Sequence, residues 1–230
     1  MPDSDTSLIN LLSKVDFFAD ASTPALERVA ARSHRRELSR GETLFAEGDT
    51  PHFLFIVISG RIAIVMSSEV DDRESVVALM EDGDLFGELG LLDDGPRSAG
   101  ARALSVSEVL EIPFEAVREM LDDEPSLLWN AARMLARRLR AMDEVLADSV
   151  FLDVTGRTAK KIVELSAGRE EFVLPVTQEE LAGMVGASRE RVNKAIASFA
   201  RLGWLEQHER NYRIIERDRL DSTRETSPLA

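Results

Sequence analysis

The stretch FGELGLLDDGPRSAGARA, residues 86–103, decides how the rest of this sequence is interpreted. It places Glu88 and Arg97 among glycine, alanine and leucine residues, whose usual position is the protein interior. Taking a charged side chain out of water is costly unless an opposite charge or hydrogen-bonding group compensates it. We therefore expect these two charges to serve a partner that the chain itself does not supply.

The composition limits the chemistry that is open to the chain. Its 230 residues suffice for one large domain or two smaller ones, and they include no cysteine and three histidines. His34, His52 and His208 lie far apart in the sequence. We therefore expect no iron–sulfur cluster, no zinc site, no cysteine nucleophile and no other metal site.

The sequence contains no signal for a membrane or for export. Its first residues, MPDSDTSLINLLSKVDFF, lack the basic stretch and apolar core of a secretory signal. No later run reaches the roughly 20 apolar residues that cross a bilayer. We expect a cytoplasmic protein with no membrane partner.

The charge of the chain is distributed unevenly. The formal net charge is −14, which disfavours nucleic acid as a partner of the chain as a whole. Residues 154–215, however, carry ten Lys and Arg against eight Asp and Glu. Residues 188–201 carry four bases and one acid, so one short C-terminal segment is cationic within an acidic protein.

Short strands separated by glycine turns fill residues 37–112. The strand segments are ETLFAEGD, FLFIVISGRIAIVM, SVVALMEDGD and VSEVLEIP. This pattern predicts an antiparallel roll or sandwich. Before it we expect a frayed tail at residues 1–6 and two short helices over residues 7–14 and 24–33. Helices predominate after it, so the predicted fold class is α+β.

A long helix is predicted to begin at Pro125 and to end near Val150. Its apolar positions recur at alternating steps of four and three: Leu128, Ala132, Leu135, Leu139, Met142, Leu146 and Ser149. Such a heptad pattern, flanked by charged residues, favours two copies of the helix side by side. We infer a homodimer; the alternative is that the helix packs on its own domain.

The segment VTQEELAGMVGASRERVNKAIASFARLGWL predicts a helix-turn-helix. Thr177 and Glu180 form a capping box at the start of the first helix. Gly186 and Ala187 supply the turn, and Ser188 caps the second helix. The alternating residues that follow, GWLEQHERNYRIIE, predict a small hairpin that would serve as a wing.

The second helix of this motif carries side chains suited to reading DNA. Its first turns expose Arg189, Glu190, Arg191 and Lys194. Arg189 can bond guanine O6 and N7, Glu190 can accept from cytosine N4, and Lys194 can reach a guanine or a phosphate. Thr177, Gln178 and Ser188 lie at helix starts, where hydroxyl, amide and backbone N–H groups position phosphates. A helical hairpin with a solvated charged face is the alternative.

A ligand sensor without DNA binding and an enzyme are the two other classes of function. A ligand sensor could act through protein partners, with the helical hairpin as a docking surface. An enzyme is disfavoured because the sequence shows no Ser-His-Asp set, no metal cluster and no Walker-type loop, and GELG lacks the GxGxxG spacing. We therefore expect no catalytic residues.

Residues 8–220 resemble the cyclic-AMP receptor protein (CRP/FNR) family of bacterial transcription regulators. The resemblance rests on FGELGLLDDGPRSA, on ARRLR followed by FLDVTGR, and on TQEELAGMVGASRERVNK. It implies a cyclic-nucleotide-binding β-roll over residues 1–123, a dimerisation helix over 124–152 and a winged helix-turn-helix over 153–230. The implied partners are a second copy, double-stranded DNA with palindromic half-sites, and RNA polymerase.

The resemblance also implies why residues 86–103 carry two charges. Arg97, stiffened by Pro96, would pair with the phosphate of a cyclic nucleotide, and Ser98 would add a hydroxyl donor. Glu88 would accept from the ribose 2′-hydroxyl. The backbone N–H groups around Gly87 and Leu89 would face the ligand. A structural Glu–Arg ion pair in a roll without a ligand is the alternative.

The base of the nucleotide would be completed by the long helix, where the match is imperfect. Arg138 matches an arginine near the ligand in the family. Met142 and Asp143 stand where cyclic-AMP responders usually have a hydroxyl residue followed by Ser or Asn. Asp143 could accept from adenine or guanine. Cyclic AMP is the leading effector, and cyclic GMP or regulation without a nucleotide stays open.

The resemblance implies an allosteric mechanism. Ligand bound between the roll and the long helix would set two recognition helices about 34 Å apart, one turn of duplex DNA. Arg189 and Glu190 match the base-reading pair of the family, while Lys194 replaces an arginine. A half-site of the TGTGA type is expected, with weaker discrimination at one position.

Overall fold

The chain divides into two compact units. The computed structural model describes residues 2–67 and 74–223. Within them, one unit holds residues 2–67 and 77–139, and the other holds residues 74–76 and 140–223. The long helix is shared by both units. The boundaries at 123/124 and 152/153 stay a prediction.

The first unit combines helices with short strands, which confirms the α+β prediction. Its elements are α1 (Pro2–Leu12), α2 (Thr23–Arg32), β1 (His34–Leu38), β2 (Thr43–Phe45), β3 (Phe53–Ser59), β4 (Ile62–Ser67), β5 (Glu74–Met80, whose first three residues belong to the other unit), β6 (Leu85–Phe86), α3 (Leu89–Asp93), β7 (Gly100–Ala103), β8 (Ser107–Pro113), α4 (Phe114–Asp123) and the first half of α5 (Leu128–Phe151). Short 3₁₀ turns cover Asp16–Phe18 and Pro125–Leu127.

Two four-stranded sheets form the predicted roll. Their strand orders are β1-β8-β3-β6 and β2-β7-β4-β5. Leu38, Phe55 and Phe86 of the first sheet share one buried cluster with Leu44 and Ile62 of the second. The two sheets therefore face each other across an apolar interior, which the glycine-punctuated strands of the sequence predicted.

The helices of the first unit cover the other face of the first sheet. A second buried cluster joins Leu12 of α1, Val29 of α2 and Val117 of α4 to Ile56 of β3 and Leu110 of β8. Alternate residues of β3 thus enter different clusters, as the period of two in a strand requires. Burial on both faces fixes the register of the sheet.

The N-terminal prediction was wrong at one point. Residues 2–6, expected to be a frayed tail, begin helix α1, which starts at Pro2 rather than near Ser7. Proline suits the first turn of a helix because its fixed φ is already helical and its missing N–H needs no partner there. Leu8 and Leu12 of α1 are buried in the helical cluster, so tertiary packing stabilises the helix.

Helix α5 has one packed face and one exposed face. Ala131 and Met134 are buried in the helical cluster of the first unit. The heptad residues Leu139, Met142 and Leu146 are 60%, 68% and 63% exposed in the single chain. These three residues are therefore not packed on their own domain, contrary to the alternative stated above.

The second unit contains the predicted helix-turn-helix and hairpin. It comprises the end of α5 and then α6 (Val154–Leu165), β9 (Glu171–Val173), α7 (Gln178–Val185), α8 (Arg189–Arg201), β10 (Leu205–His208), β11 (Asn211–Ile214) and α9 (Arg217–Ser222). Its sheet has the order β10-β11-β9. Among the described residues, no helix has both the length and the apolar character needed to cross a membrane.

Candidate functional site

The backbone of residues 86–103 wraps around Arg97. Strand β6 ends at Phe86, Gly87 turns the chain at φ +78°, and α3 follows. A Cβ at Gly87 would lie 2.7 Å from Arg97 Nη1 and 3.2 Å from Phe55 Cδ2. Both the dihedral angle and the close approach of Arg97 therefore require glycine at this position.

Arg97 is bonded to its own chain. It is 7% exposed, and its Nη1 and Nη2 donate to the carbonyl oxygens of Gly87 and Phe53, both at 2.7 Å. The Phe45 ring covers the guanidinium, whose carbon lies 4.0 Å from the ring centroid. Two cavities of the first unit, of about 560 and 590 Å³, are lined by other residues. The arginine that the sequence predicted to meet a ligand is thus largely buried against the chain itself.

The charge of Arg97 lacks a direct counter-charge in the described part of the chain. Among the described residues, none of the ion pairs within 4.0 Å includes it. Burial lowers the pKa of Arg97 to about 10, and the more distant carboxylates of Asp49 and Glu88 oppose part of that decrease. The guanidinium therefore remains a cation at neutral pH, although it is paired only with neutral carbonyls.

Glu88 is buried and only half satisfied. It is 1% exposed, and its Oε1 accepts a hydrogen bond from Nη1 of Arg138. Nη2 of Arg138 donates to the Leu85 carbonyl, which anchors the pair to β6. Glu88 Oε2 is buried and has no hydrogen-bond partner among the described residues. An unsatisfied buried carboxylate oxygen is costly, so this atom is suited to a donor brought by a ligand.

The remaining predicted effector residues are more exposed. Leu89 is 41% exposed at the start of α3, and Ser98 is exposed directly after Arg97. Met142 and Asp143 are exposed on α5 beyond residue 139, in the second unit. The structure therefore brings together Gly87, Glu88, Arg97 and Arg138 within the first unit.

Sequence reasoning missed Phe45, the ring that covers Arg97. It lies at the end of β2, 52 residues before the arginine, in the segment ETLFAEGD. Alternation along a strand would place the adjacent Leu44 and Phe45 on opposite faces, so the sequence does not indicate that both contact the interior, and nothing local indicates that Phe45 meets a charged group.

The two helices of the DNA-binding motif begin and end as predicted. Thr177 Oγ1 accepts from Glu180 N at 3.2 Å, and Glu180 Oε2 accepts from Thr177 N at 2.7 Å, which confirms the capping box. Gly186 ends α7 at φ +67°, and Ser188 caps α8 by accepting from Arg191 N at 3.4 Å. The turn between the helices is therefore tight and fixed at both ends.

Helix α8 presents the predicted side chains to solvent. Its buried face is formed by Val192, Ala195, Ile196 and Phe199. Its first turns expose Arg189, Glu190, Arg191 and Lys194. Gln178 is half-buried at the first residue of α7. This is the arrangement in which a recognition helix enters the major groove of DNA.

A wing follows the recognition helix. Strands β10 and β11 pair antiparallel from Leu205 with Ile214 to His208 with Asn211. Glu209 turns the hairpin at φ +55°, and β9 adds a third strand beside β11. The predicted hairpin is confirmed.

Two protein families match the chain. Residues 35–124 match the cyclic nucleotide-binding domain, and residues 156–223 match the Crp-like helix-turn-helix domain. The first match contains the roll with Glu88 and Arg97, and the second contains α7, α8 and the wing.

Curated relatives cover most of the chain. The chain is 35% identical to the CRP-like cAMP-activated global transcriptional regulator of Mycobacterium tuberculosis over 217 residues, which is 91% of this chain and 96% of the relative. It is 32% identical to the cAMP-activated global transcriptional regulator Vfr of Pseudomonas aeruginosa, over 77% of this chain and 87% of the relative.

Solved structures share the fold. The c-di-GMP responsive global regulator CLP of Xanthomonas campestris is 28% identical and superposes with a TM-score of 0.73, covering 84% of this chain and 99% of that one. The catabolite activator protein of Thermus thermophilus, also 28% identical, has a TM-score of 0.52 and covers 91% and 98%.

Proposed function

Because the chain belongs to the CRP/FNR family of transcription regulators, we propose that it is a homodimer whose affinity for a palindromic DNA site is controlled by cyclic AMP. It has a cyclic nucleotide-binding domain and a Crp-like helix-turn-helix domain. The identity of the effector, the residues that bind it, the dimer and the contact with RNA polymerase are our proposals. We assign no catalytic residue.

Two buried groups, the Glu88 carboxylate and the Arg97 guanidinium, carry the effector proposal. Within the described part of the chain, one buried carboxylate oxygen has no donor, and one buried guanidinium has only neutral acceptors. A ribose cyclic phosphate offers a hydroxyl donor and an anion in one small molecule. It would therefore satisfy both groups at once, which no single protein side chain can do.

Five residues of the segment 86–103 have proposed roles. Arg97 would pair with the phosphate, helped by the hydroxyl of Ser98. Glu88 Oε2 would accept from the ribose hydroxyl, while Oε1 keeps its bond to Arg138. The N–H groups around Gly87 and Leu89 would face the ligand, since Gly87 has no side chain to obstruct it.

Cyclic AMP is proposed because the two curated relatives described above are named as cAMP-activated. Cyclic GMP is a second candidate. The resemblance to the family implies that Met142 and Asp143 stand near the base, and the Asp143 carboxylate could accept from the N1–H and N2 amino groups of guanine. The bonds of Arg97 to its own chain favour a third candidate, a regulator that acts without a nucleotide.

Calorimetric titration of the full chain with cyclic AMP and with cyclic GMP separates the three candidates. Heat from cyclic AMP supports the proposal, and heat from cyclic GMP alone or from neither nucleotide contradicts it.

The dimer proposal rests on the exposed face of α5. Leu139, Met142 and Leu146 follow one another at heptad spacing and are each more than half exposed in the single chain. If the same face of a second copy covered it, these three residues would be buried in both copies. The resulting two-fold symmetry would match a palindromic DNA site.

Replacing Arg189 with alanine is expected to weaken binding to the preferred duplex by about 1–3 kcal/mol and to relax selectivity at one base pair, because a bidentate contact to guanine is lost. Fluorescence anisotropy with duplexes that vary one position at a time measures both effects. Arg201→Ala, at the other end of the same helix, is the matched control and should retain the selectivity. Equal affinity and selectivity of Arg189→Ala and wild type would show that Arg189 does not read a base.

RNA polymerase is the proposed partner of the DNA-bound dimer, since a transcription regulator acts at promoters. Transcription in vitro from a promoter that carries the bound palindrome tests this. A change in transcript yield that requires the cyclic nucleotide supports the proposal, and an unchanged yield on occupied DNA contradicts it.

A further inference from the structure

We propose that Phe45 sets the affinity of the effector site by holding the Arg97 guanidinium against its own chain. An anionic ligand then has to compete with an internal contact before it can pair with the arginine. The inference rests on the proposed nucleotide site and adds to it a residue that determines affinity.

The ring of Phe45 is the closest aromatic contact of Arg97. Its centroid lies 4.0 Å from the guanidinium carbon, against 5.3 Å for Phe55 and 5.9 Å for Phe114. At that distance a cation is attracted by the electron-rich face of the ring, and more strongly where water is excluded. Phe45 therefore stabilises a charge that no carboxylate of residues 2–67 and 74–223 neutralises within 4.0 Å.

Neighbouring rings hold Phe45 in place. It stacks on Phe55 with 5.5 Å between centroids and lies 6.2 Å from Phe86. Both neighbours belong to the buried cluster between the two sheets, and Phe45 packs against that cluster. The ring cannot leave the guanidinium without disturbing the interior of the roll.

The backbone fixes Phe45 to Arg97 as well. The residues that follow Phe45 turn so that Gly48 N donates to Arg97 O at 2.8 Å and Arg97 N donates to Asp49 O at 2.9 Å. The carboxylate of Asp49 accepts from Ala46 N at 2.8 Å, which closes the turn. The covering ring and the covered side chain therefore belong to one hydrogen-bonded unit.

The hydrogen bonds of Arg97 to its own chain oppose the binding of an anionic ligand. Arg97 uses one donor on each terminal nitrogen for the carbonyls of Gly87 and Phe53. Three N–H donors of the guanidinium remain for a phosphate, but Arg97 is only 7% exposed, so the guanidinium has to be realigned before the phosphate can reach them. Since the ring favours the present orientation, its removal lowers the cost of realignment and raises the affinity for the anion.

The test compares Phe45→Leu with wild type in calorimetric titrations of the full chain with cyclic AMP. Leucine keeps an apolar side chain but has no aromatic face, and we expect the affinity to rise roughly 3- to 10-fold. Phe17→Leu is the matched control, because Phe17 is buried in the helical cluster, and its affinity should stay within about twofold of wild type. If Phe45→Leu loses cooperative thermal unfolding, Phe45→Met, which keeps more side-chain volume, replaces it.

The outcomes separate this inference from the proposed function. Tighter binding by Phe45→Leu than by wild type supports the inference. Equal or weaker binding by the folded variant overturns it and leaves the proposed function standing. No saturable heat from either protein with cyclic AMP or cyclic GMP overturns the proposed function, and the inference with it.

Discussion

Replacing Arg97 with alanine is expected to lower the affinity for cyclic AMP by at least about 100-fold, because two charge-assisted hydrogen bonds to the phosphate are lost together. Arg97→Lys keeps the charge but not the planar fork, and an intermediate loss of roughly tenfold is expected. Calorimetry on the full chain measures both. The variants also show whether the buried guanidinium is needed for folding, since thermal unfolding can be followed in the same samples.

Arg28→Ala is the matched control for Arg97→Ala. Arg28 is an exposed arginine of α2 that pairs with Asp123 at 2.7 Å. Its removal takes away one positive charge from the same unit without touching residues 86–103, so the affinity for cyclic AMP should not change. If Arg97→Ala binds as tightly as Arg28→Ala, the phosphate pairs with another group and the assignment of Arg97 is wrong.

Placing a glutamate at both Leu139 and Leu146 is expected to convert the dimer into a monomer and to weaken binding to a palindromic duplex by roughly 100-fold or more. Each side chain is at least 60% exposed in the single chain, so the monomer should tolerate the charges. In a dimer they would be buried close to the same charges of the second copy. A monomer also loses the effective concentration that a second half-site contact provides. Analytical ultracentrifugation measures the mass, and fluorescence anisotropy measures the affinity.

The control for the heptad variant, Leu139→Glu with Leu146→Glu, carries the same added charge on the same helix. Ala141 and Ala147 of α5 are exposed and lie outside the heptad positions. The double variant Ala141→Glu, Ala147→Glu should remain a dimer and bind the palindrome with an affinity close to that of wild type. If the heptad variant stays dimeric as well, the two copies do not meet along this face.

Local signals in the sequence account for most of what could be predicted. The capping box of Thr177 and Glu180, the turn at Gly186 and the cap at Ser188 each depend on residues within a few positions of one another. The motif was therefore predicted correctly from local chemistry. The same holds for the strands of the roll, where glycine turns and alternation decide the structure.

Contacts between distant parts of the chain could not be predicted in the same way. The prediction placed Arg97 at a ligand, but its hydrogen-bond acceptor at Phe53 and its covering ring at Phe45 come from other strands. The sequence also did not indicate that Glu88 shares its carboxylate with Arg138 on the long helix. Helix α1 was missed at its start, since packing of Leu8 and Leu12 against distant residues stabilises it.

The central claim is that a cyclic nucleotide held by Arg97 and Glu88 controls binding to DNA. The affinity for one palindromic duplex, measured by fluorescence anisotropy at constant salt with and without cyclic AMP, tests it most directly. The account predicts that cyclic AMP raises the DNA affinity of the wild-type chain by roughly tenfold or more and leaves that of Arg97→Ala unchanged. The same DNA affinity of the wild-type chain at zero and at saturating cyclic AMP would contradict it.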